Sequence, residues 1–175
     1  MGTVYVDNLE PQSGTTLTLG ASGDTIALAS GATAGFGRVL QVLTNEYTTI
    51  TTTSSSSFTK IGPAVTITPT ASNTKMLVTV LGGSVYTATD KNAQWTIYRD
   101  ISGGSSTNLG GSAGLMNHFA NSSFLQQPVA MHVLDTHGTT SNIEYATYVR
   151  TTTGSGIDVQ ANATKTIMTV MEIGA

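Results

Sequence analysis

Apolar and β-branched residues recur along this chain with a period of two, in short runs separated by glycine, serine and asparagine. Val4 and Val6 flank Tyr5, Leu17 and Leu19 flank Thr18, and Ile26 and Leu28 flank Ala27. Each run gives a short strand with a single apolar row on one face. Gly20-Ala-Ser-Gly-Asp24 is a turn by composition. So little apolar area cannot offset the entropy of ordering residues 1–37, so this segment is expected to find its core in other copies of itself. Three copies wound about an axis with Val4, Val6, Leu9, Leu17, Leu19, Ile26 and Leu28 turned inward meet that need. The segment is therefore read as a docking and trimerisation arm. Gly31-Ala-Thr-Ala-Gly-Phe-Gly37 follows it, and its three glycines predict a hinge between the arm, 1–37, and a second domain, 38–175.

From Arg38 onward the pattern is that of many strands. Residues 39–53 form one long β-branched run, closed by Ser54-Ser-Ser-Ser57. Residues 58–61 and 64–68 predict a pair of strands, ended by Pro69 and Asn73. Lys75-Met-Leu-Val-Thr-Val-Leu81 is apolar enough for a central strand buried on both faces, bent or ended by Gly82-Gly83. In Gln94-Trp-Thr-Ile-Tyr-Arg99 the alternation puts Trp95 and Ile97 on the core face. Residues 100–127 are rich in Gly, Ser and Asn, with isolated apolar side chains at Leu109, Leu115, Met116, Phe119, Phe124 and Leu125. They predict an exposed loop or a set of short edge strands, where binding tends to reside. Leu109, Leu115, Met116, His118, Phe119 and Phe124 are its candidate receptor contacts. Four more strands are expected at 129–134, 143–150, 157–160 and 167–173, with turns at His137-Gly138, Gly154-Ser-Gly156 and Asn162. No stretch after Arg38 carries a helical period. The fold class predicted is all-β, an antiparallel β-sandwich of jelly-roll type preceded by a short β-arm.

Composition sharpens this picture. Only 10% of the 175 residues are charged, against about 25% in ordinary soluble domains. Surfaces solvated by Thr and Ser hydroxyls suit long strands, and low charge suits a chain that buries surface against its own copies. The net charge is −3 and the seven basic residues are scattered, so no nucleic-acid partner is expected. There is no cysteine, which removes disulfides, zinc–thiolate sites and thiol nucleophiles together. No basic-then-apolar leader and no run of about 18 apolar residues is present, so neither secretion nor membrane insertion is expected and synthesis is placed in a host cytoplasm.

The arrangements that carry catalysis fail one by one. Gly20 to Gly23 and Gly104 to Gly110 lie between strands with no helix behind them, which removes a phosphate cradle. His132 and His137 flank Asp135, but alternation and the turn at His137 do not bring them together, so no metal site is assigned. Asp90, Asp100, Asp135, Glu144, Asp158 and Glu172 are too dispersed to nominate a carboxylate pair, although folding can bring two together. Glu172 stands out near the end of an apolar last strand, facing a partner or the sheet edge. Trp95, Tyr86, Tyr98, Tyr145 and Tyr148 are candidates for stacking on sugars, against a core role for each. The expectation is a chain without catalytic residues and without a cofactor.

Val6-Asp-Asn-Leu-Glu-Pro-Gln-Ser-Gly-Thr-Thr-Leu-Thr-Leu-Gly-Ala-Ser-Gly-Asp-Thr-Ile-Ala-Leu-Ala-Ser-Gly-Ala-Thr33 resembles N-terminal segments of tail-fibre-like and other virion structural proteins of tailed phages, notably of cyanobacterial and marine hosts. Phe58-Thr-Lys-Ile-Gly62, the run from Val65 to Val80 and Ile167-Met-Thr-Val-Met-Glu-Ile173 are similar to a companion β-rich domain of the same proteins. The resemblance implies a virion component, a homotrimer held to the particle through its first segment and displaying the sandwich toward a host surface glycan or protein. The chain is short for a tail fibre, so a small tail appendage and a capsid-decorating (cement) protein compete with that reading. A carbohydrate-binding module is the alternative of a different class.

Overall fold

The computed structural model describes residues 11, 13–14, 38–121, 123–154 and 156–174. The chain divides into two units, Met1–Gly35 and Phe36–Ala175, and the second is the one described below. The residues expected to dock and trimerise, Val4, Val6, Leu9, Leu17, Leu19, Ile26 and Leu28, lie outside the described residues.

Eleven strands follow one another: β1 Val39–Tyr47, β2 Thr51–Thr53, β3 Thr59–Ile67, β4 Lys75–Thr87, β5 Lys91–Ile101, β6 Thr107–Asn108, β7 Met116–Ala120, β8 Leu125–Asp135, β9 Ile143–Arg150, β10 Ile157–Val159 and β11 Thr166–Ile173. All named pairings are antiparallel. The long β4 organises the first sheet. β10 and β11 lie end to end along one side of it, β2 and β1 lie end to end outside them, and β8 takes the other side. β5 organises the second sheet, with β9 and then β3 on one side and β6 and β7 on the other. Taking β1–β2, β6–β7 and β10–β11 as single interrupted ribbons leaves eight ribbons. Their orders are then first-eighth-third-sixth and second-seventh-fourth-fifth. That is the connectivity of a jelly roll, the predicted class.

Alternation explains the core. Met76, Val78 and Val80 of β4, Trp95 and Ile97 of β5, Ile143, Tyr145 and Val149 of β9, and Met168 and Val170 of β11 occupy every second position and are fully buried between the sheets. Three expectations are corrected. Residues 58–68 are one strand, not two: the register of β3 against β9 shifts between Lys60 and Ala64, where Gly62 takes a φ of 115° that absorbs the bulge. At Gly82-Gly83 β4 bends and continues to Thr87, but its Leu77 and Leu81 face outward instead of into a second core layer. The run 39–53 is broken at residues 48–50.

That break belongs to a crease running across the whole first sheet. At the same level β4 carries Gly82 and Gly83 at φ 91° and 69°, and its register against β8 shifts between Gly82 and Val85. Between β10 and β11 a single 3-10 turn, Ala161–Ala163, interrupts the ribbon, and Gln160, Asn162 and Ala163 all hold positive φ. Buried Gln160 fills the crease and donates from Nε2 to Thr166 Oγ1. A methyl group added at Gly83 would come within 2.6 Å of Gln160 Oε1 and closer still to Thr166 Oγ1. Gly83→Ala is therefore expected to destabilise the sandwich by about 1–3 kcal/mol through strain and clash. The midpoint of urea unfolding, compared with wild type, checks this.

Candidate functional site

Beyond the crease, one row of side chains crosses all four ribbons of the first sheet. Thr52 of β2 is paired with Asp158 of β10, Asp158 with Tyr86 of β4, and Tyr86 with Gln126 of β8. Directly opposed residues share a face, and the flanking Val85, Thr87, Ile157 and Val159 are buried, so this row faces outward. Phe124, two residues before Gln126, stacks on Tyr86 with ring centroids 5.6 Å apart and planes inclined by 27°. Phe124 is 61% exposed and Ile50, in the break between β1 and β2, is 55% exposed. With Ala161 and Asn162 of the crease they enclose an open hollow of about 390 Å³. Thr52 Oγ1 donates to Asp158 Oδ1 at 2.6 Å and fixes that carboxylate. The hollow thus combines an aromatic pair of which Phe124 is exposed and Tyr86 half-buried, one oriented carboxylate and two amides.

On the other side of the crease the outer face of the same sheet is apolar. Val42, Met171, Leu77 and Leu134 form one row across β1, β11, β4 and β8, and Ile167 and Leu81 lie in a parallel row nearer the crease. Leu81 and Leu134 are both more than half exposed. A row of Thr44, Thr169, Thr79 and His132 separates them, and Glu46 is paired with Lys165 at 2.7 Å. An antiparallel sheet that faces only water carries polar residues on its outer face, so these rows mark a surface suited to contact.

A second hollow, about 500 Å³, lies at one end of the second sheet between Thr66, Asp100, Ser102, Gly103, Asn142 and Glu144. Folding here opposes two carboxylates, Asp100 on β5 and Glu144 on β9. Glu144 accepts from Lys60 Nζ at 2.6 Å, and all six lining residues are polar or glycine. Glycosidic acid–base chemistry sets its two carboxyls in unlike surroundings; here Glu144 is held by Lys60, while Asp100 Oδ1 is buried without a hydrogen-bond partner among the described residues. Among the described residues no three His, Asp or Glu side chains gather in a way that could hold a metal ion. No helix among them is long and apolar enough to cross a membrane.

No family model and no curated protein matches the chain. Among solved structures, one of the Gx strain of infectious bursal disease virus is similar at a TM-score of 0.35 and 9% identity, over 86% of this chain and 44% of that one. The chain thus spans less than half the length of that neighbour.

The candidate contact residues of 100–127 separate into two groups. Of the two forms expected for the segment, short edge strands are present: β6 and β7 both pair to β5. Leu109, Leu115 and Met116 pack against the core, and His118 is only 7% exposed. His118 opposes Ala93 on the inner face, and burial holds its imidazole below its ordinary pKa of 6.5. Only Phe119 and Phe124 remain exposed, and of these Phe124 joins the hollow. The candidate stacking aromatics separate likewise. Trp95 and Tyr145 are core. Tyr98 and Tyr148 pack on each other at 4.1 Å beside Phe58, which is itself capped by Arg150 at 4.4 Å. Tyr86 alone of the five reaches an open hollow. His132 faces outward while His137 and Asp135 are buried in separate hydrogen-bond networks, so the three do not converge. Glu172 faces neither a partner nor the sheet edge: it is fully buried.

Proposed function

We propose that this chain is a non-enzymatic structural protein of a tailed-phage virion. In this reading it is a short tail fibre or tail appendage that docks and trimerises through residues 1–37 and displays the jelly roll toward the host surface. The observation that carries the proposal is the outer face of the first sheet. Its neutral apolar rows around Leu77, Leu81 and Leu134 suit packing against protein, and the open aromatic hollow suits contact with something else. The similarity of the opening segment to virion proteins and the 10% charge support the same reading. Partners are then other copies of the chain, a tail or capsid protein and a host surface molecule, with no nucleic acid and no cofactor. Fold alone does not set function, so the proposal rests on these surfaces and not on the jelly roll itself.

Deletion of residues 1–37 is expected to leave a soluble, cooperatively unfolding sandwich that no longer joins particles and no longer has the mass of a trimer in solution. Native mass spectrometry and immunodetection on purified particles read the two outcomes. Continued incorporation of the truncated chain would overturn the docking role. A capsid-decorating role is the competing reading, favoured by the same apolar rows, because lateral contact on a shell also covers a sheet face. The position of the protein on intact particles, seen by electron cryo-microscopy, separates the two.

A further inference from the structure

We infer that the hollow formed by Ile50, Tyr86, Phe124, Gln126, Asp158 and Asn162 is a binding site for a neutral saccharide of a cell surface. The inference rests on the reading above that the sandwich meets a host surface, and it names what is met. A pyranose ring has one face rich in C–H groups and a rim of hydroxyls that both donate and accept. The stacked Tyr86–Phe124 pair supplies an amphipathic, half-open aromatic platform for the C–H face. Ile50 supplies a second apolar contact. Asp158 accepts, while the Gln126 and Asn162 amides both donate and accept, which matches neighbouring hydroxyls or an acetamido group. Thr52 already occupies Asp158 Oδ1 at 2.6 Å, which orients the carboxylate and leaves Oδ2 with accepting capacity. The one charged residue of the hollow is acidic, so uronic and other acidic sugars are repelled and neutral ones are favoured. An open hollow of about 390 Å³ fits one or two sugar rings of a longer chain that runs past it.

The local backbone is built around this place. Three non-glycine residues with positive φ, Gln160, Asn162 and Ala163, stand within four positions of one another at its edge. Such conformations cost about 1–3 kcal/mol each and persist where the surroundings fix them. Gln160 is buried and bonded to Thr166 beneath the crease, and Asn162 lines the hollow beside it.

The full chain applied to an array of neutral and acidic bacterial surface polysaccharides tests the site. Retention on at least one neutral polysaccharide is expected, reduced ten-fold or more in Phe124→Ala and several-fold in Asp158→Asn. Lys60→Ala, on the second sheet, should bind as wild type does. Unchanged thermal midpoints show that the variants are folded. An array on which no neutral polysaccharide is retained, one dominated by acidic sugars, or retention that Phe124→Ala leaves unaltered would overturn the inference. Particle location and adsorption to cells are measured alongside. A virion-borne protein that adsorbs to cells but retains no saccharide sinks this site and spares the virion role. A saccharide-binding protein absent from particles does the opposite.

Discussion

Glu172→Ala is expected to lower the unfolding free energy by about 3 kcal/mol, because it strands several donors that now converge on one buried carboxylate. Gln41 Nε2 donates to Oε2 at 2.6 Å, while Thr70 N, Thr70 Oγ1 and Thr74 Oγ1 donate to Oε1 at 2.8, 2.8 and 2.7 Å. Glu172 thereby ties β11 to β1 and to the connection between β3 and β4. The network reaches further. Thr139 N donates to His137 Nδ1 at 3.3 Å, which leaves the imidazole proton on Nε2, 3.1 Å from Thr74 Oγ1. The Thr74 hydroxyl accepts that proton's bond and donates its own to the stronger, charged acceptor. Burial pushes the Glu172 carboxyl up, but the hydrogen bonds from Thr74, Gln41 and Thr70 outweigh it and hold the pKa below 4.5. The sign follows. A carboxyl depressed in the folded state contributes stability that is present above its unfolded pKa, 4.5, and is lost as pH falls through its folded value. His118, lowered by burial, acts in the same direction from its unfolded pKa of 6.5 downward, because the unfolded chain takes up the proton first. Wild-type stability should therefore decline on acidification in two stages. In Glu172→Gln the decline below 4.5 should flatten while the one beginning near 6.5 remains. Urea midpoints measured across that range decide it; an unchanged acid limb would show that Glu172 does not titrate as this network requires.

The contrast between Glu172 and Trp95 shows which parts of this fold the sequence discloses. Trp95 and Ile97 alternate with polar neighbours, and both lie fully buried where that alternation puts them. The strand at 143–150 coincides with β9 for the same reason. Glu172 also sits at a core position by alternation, between Met168 and Val170 on one side and the chain end on the other, yet a carboxylate there argues for an edge until its four donors are known. Those donors come from residues 41, 70 and 74, more than 90 positions away. β4 misleads in the other direction. Leu77 and Leu81 make it read as a strand buried on both faces, whereas they belong to an outer surface that is itself apolar. β6 and β7 are too short for a period to fix them, so the sequence leaves edge strands and loop as equals there, and pairing to β5 decides for strands. The hollow is the least legible feature. Thr52, Tyr86, Gln126 and Asp158 meet only because four ribbons share one register, and nothing in the sequence around Phe124 points to Tyr86 as its partner.

Asp135→Ala is expected to cost about 3–5 kcal/mol, the scale for breaking a buried ion pair by removing one partner. Asp135 closes β8 in the first sheet, while its partners Arg99 on β5 and Tyr145 on β9 belong to the second, so the group ties the two sheets together at one end of the core. Arg99 Nη1 donates to Oδ1 and Oδ2 at 2.8 and 3.1 Å, and the Tyr145 hydroxyl donates to Oδ2 at 2.7 Å. The side chains of Asp135 and Arg99 are 7% and 18% exposed, so little water is at hand to replace a lost partner. Burial, then the hydrogen bond and charge of Asp135, push the Tyr145 phenol above its ordinary pKa of 10.0, which keeps it a neutral donor throughout the accessible range. Truncation at 135 leaves a guanidinium and a phenol without an acceptor between the sheets, and that desolvation is the larger part of the loss. It follows that removing both charges should cost less than removing one. Asp135→Leu combined with Arg99→Met fills similar volume without an orphaned charge and should recover most of the stability lost in Asp135→Ala. Equilibrium unfolding of both single variants and the double variant measures the coupling. Additive losses would mean that Arg99 and Asp135 are each held by solvent, and that the two sheets are joined at this end by Tyr145 and apolar packing alone.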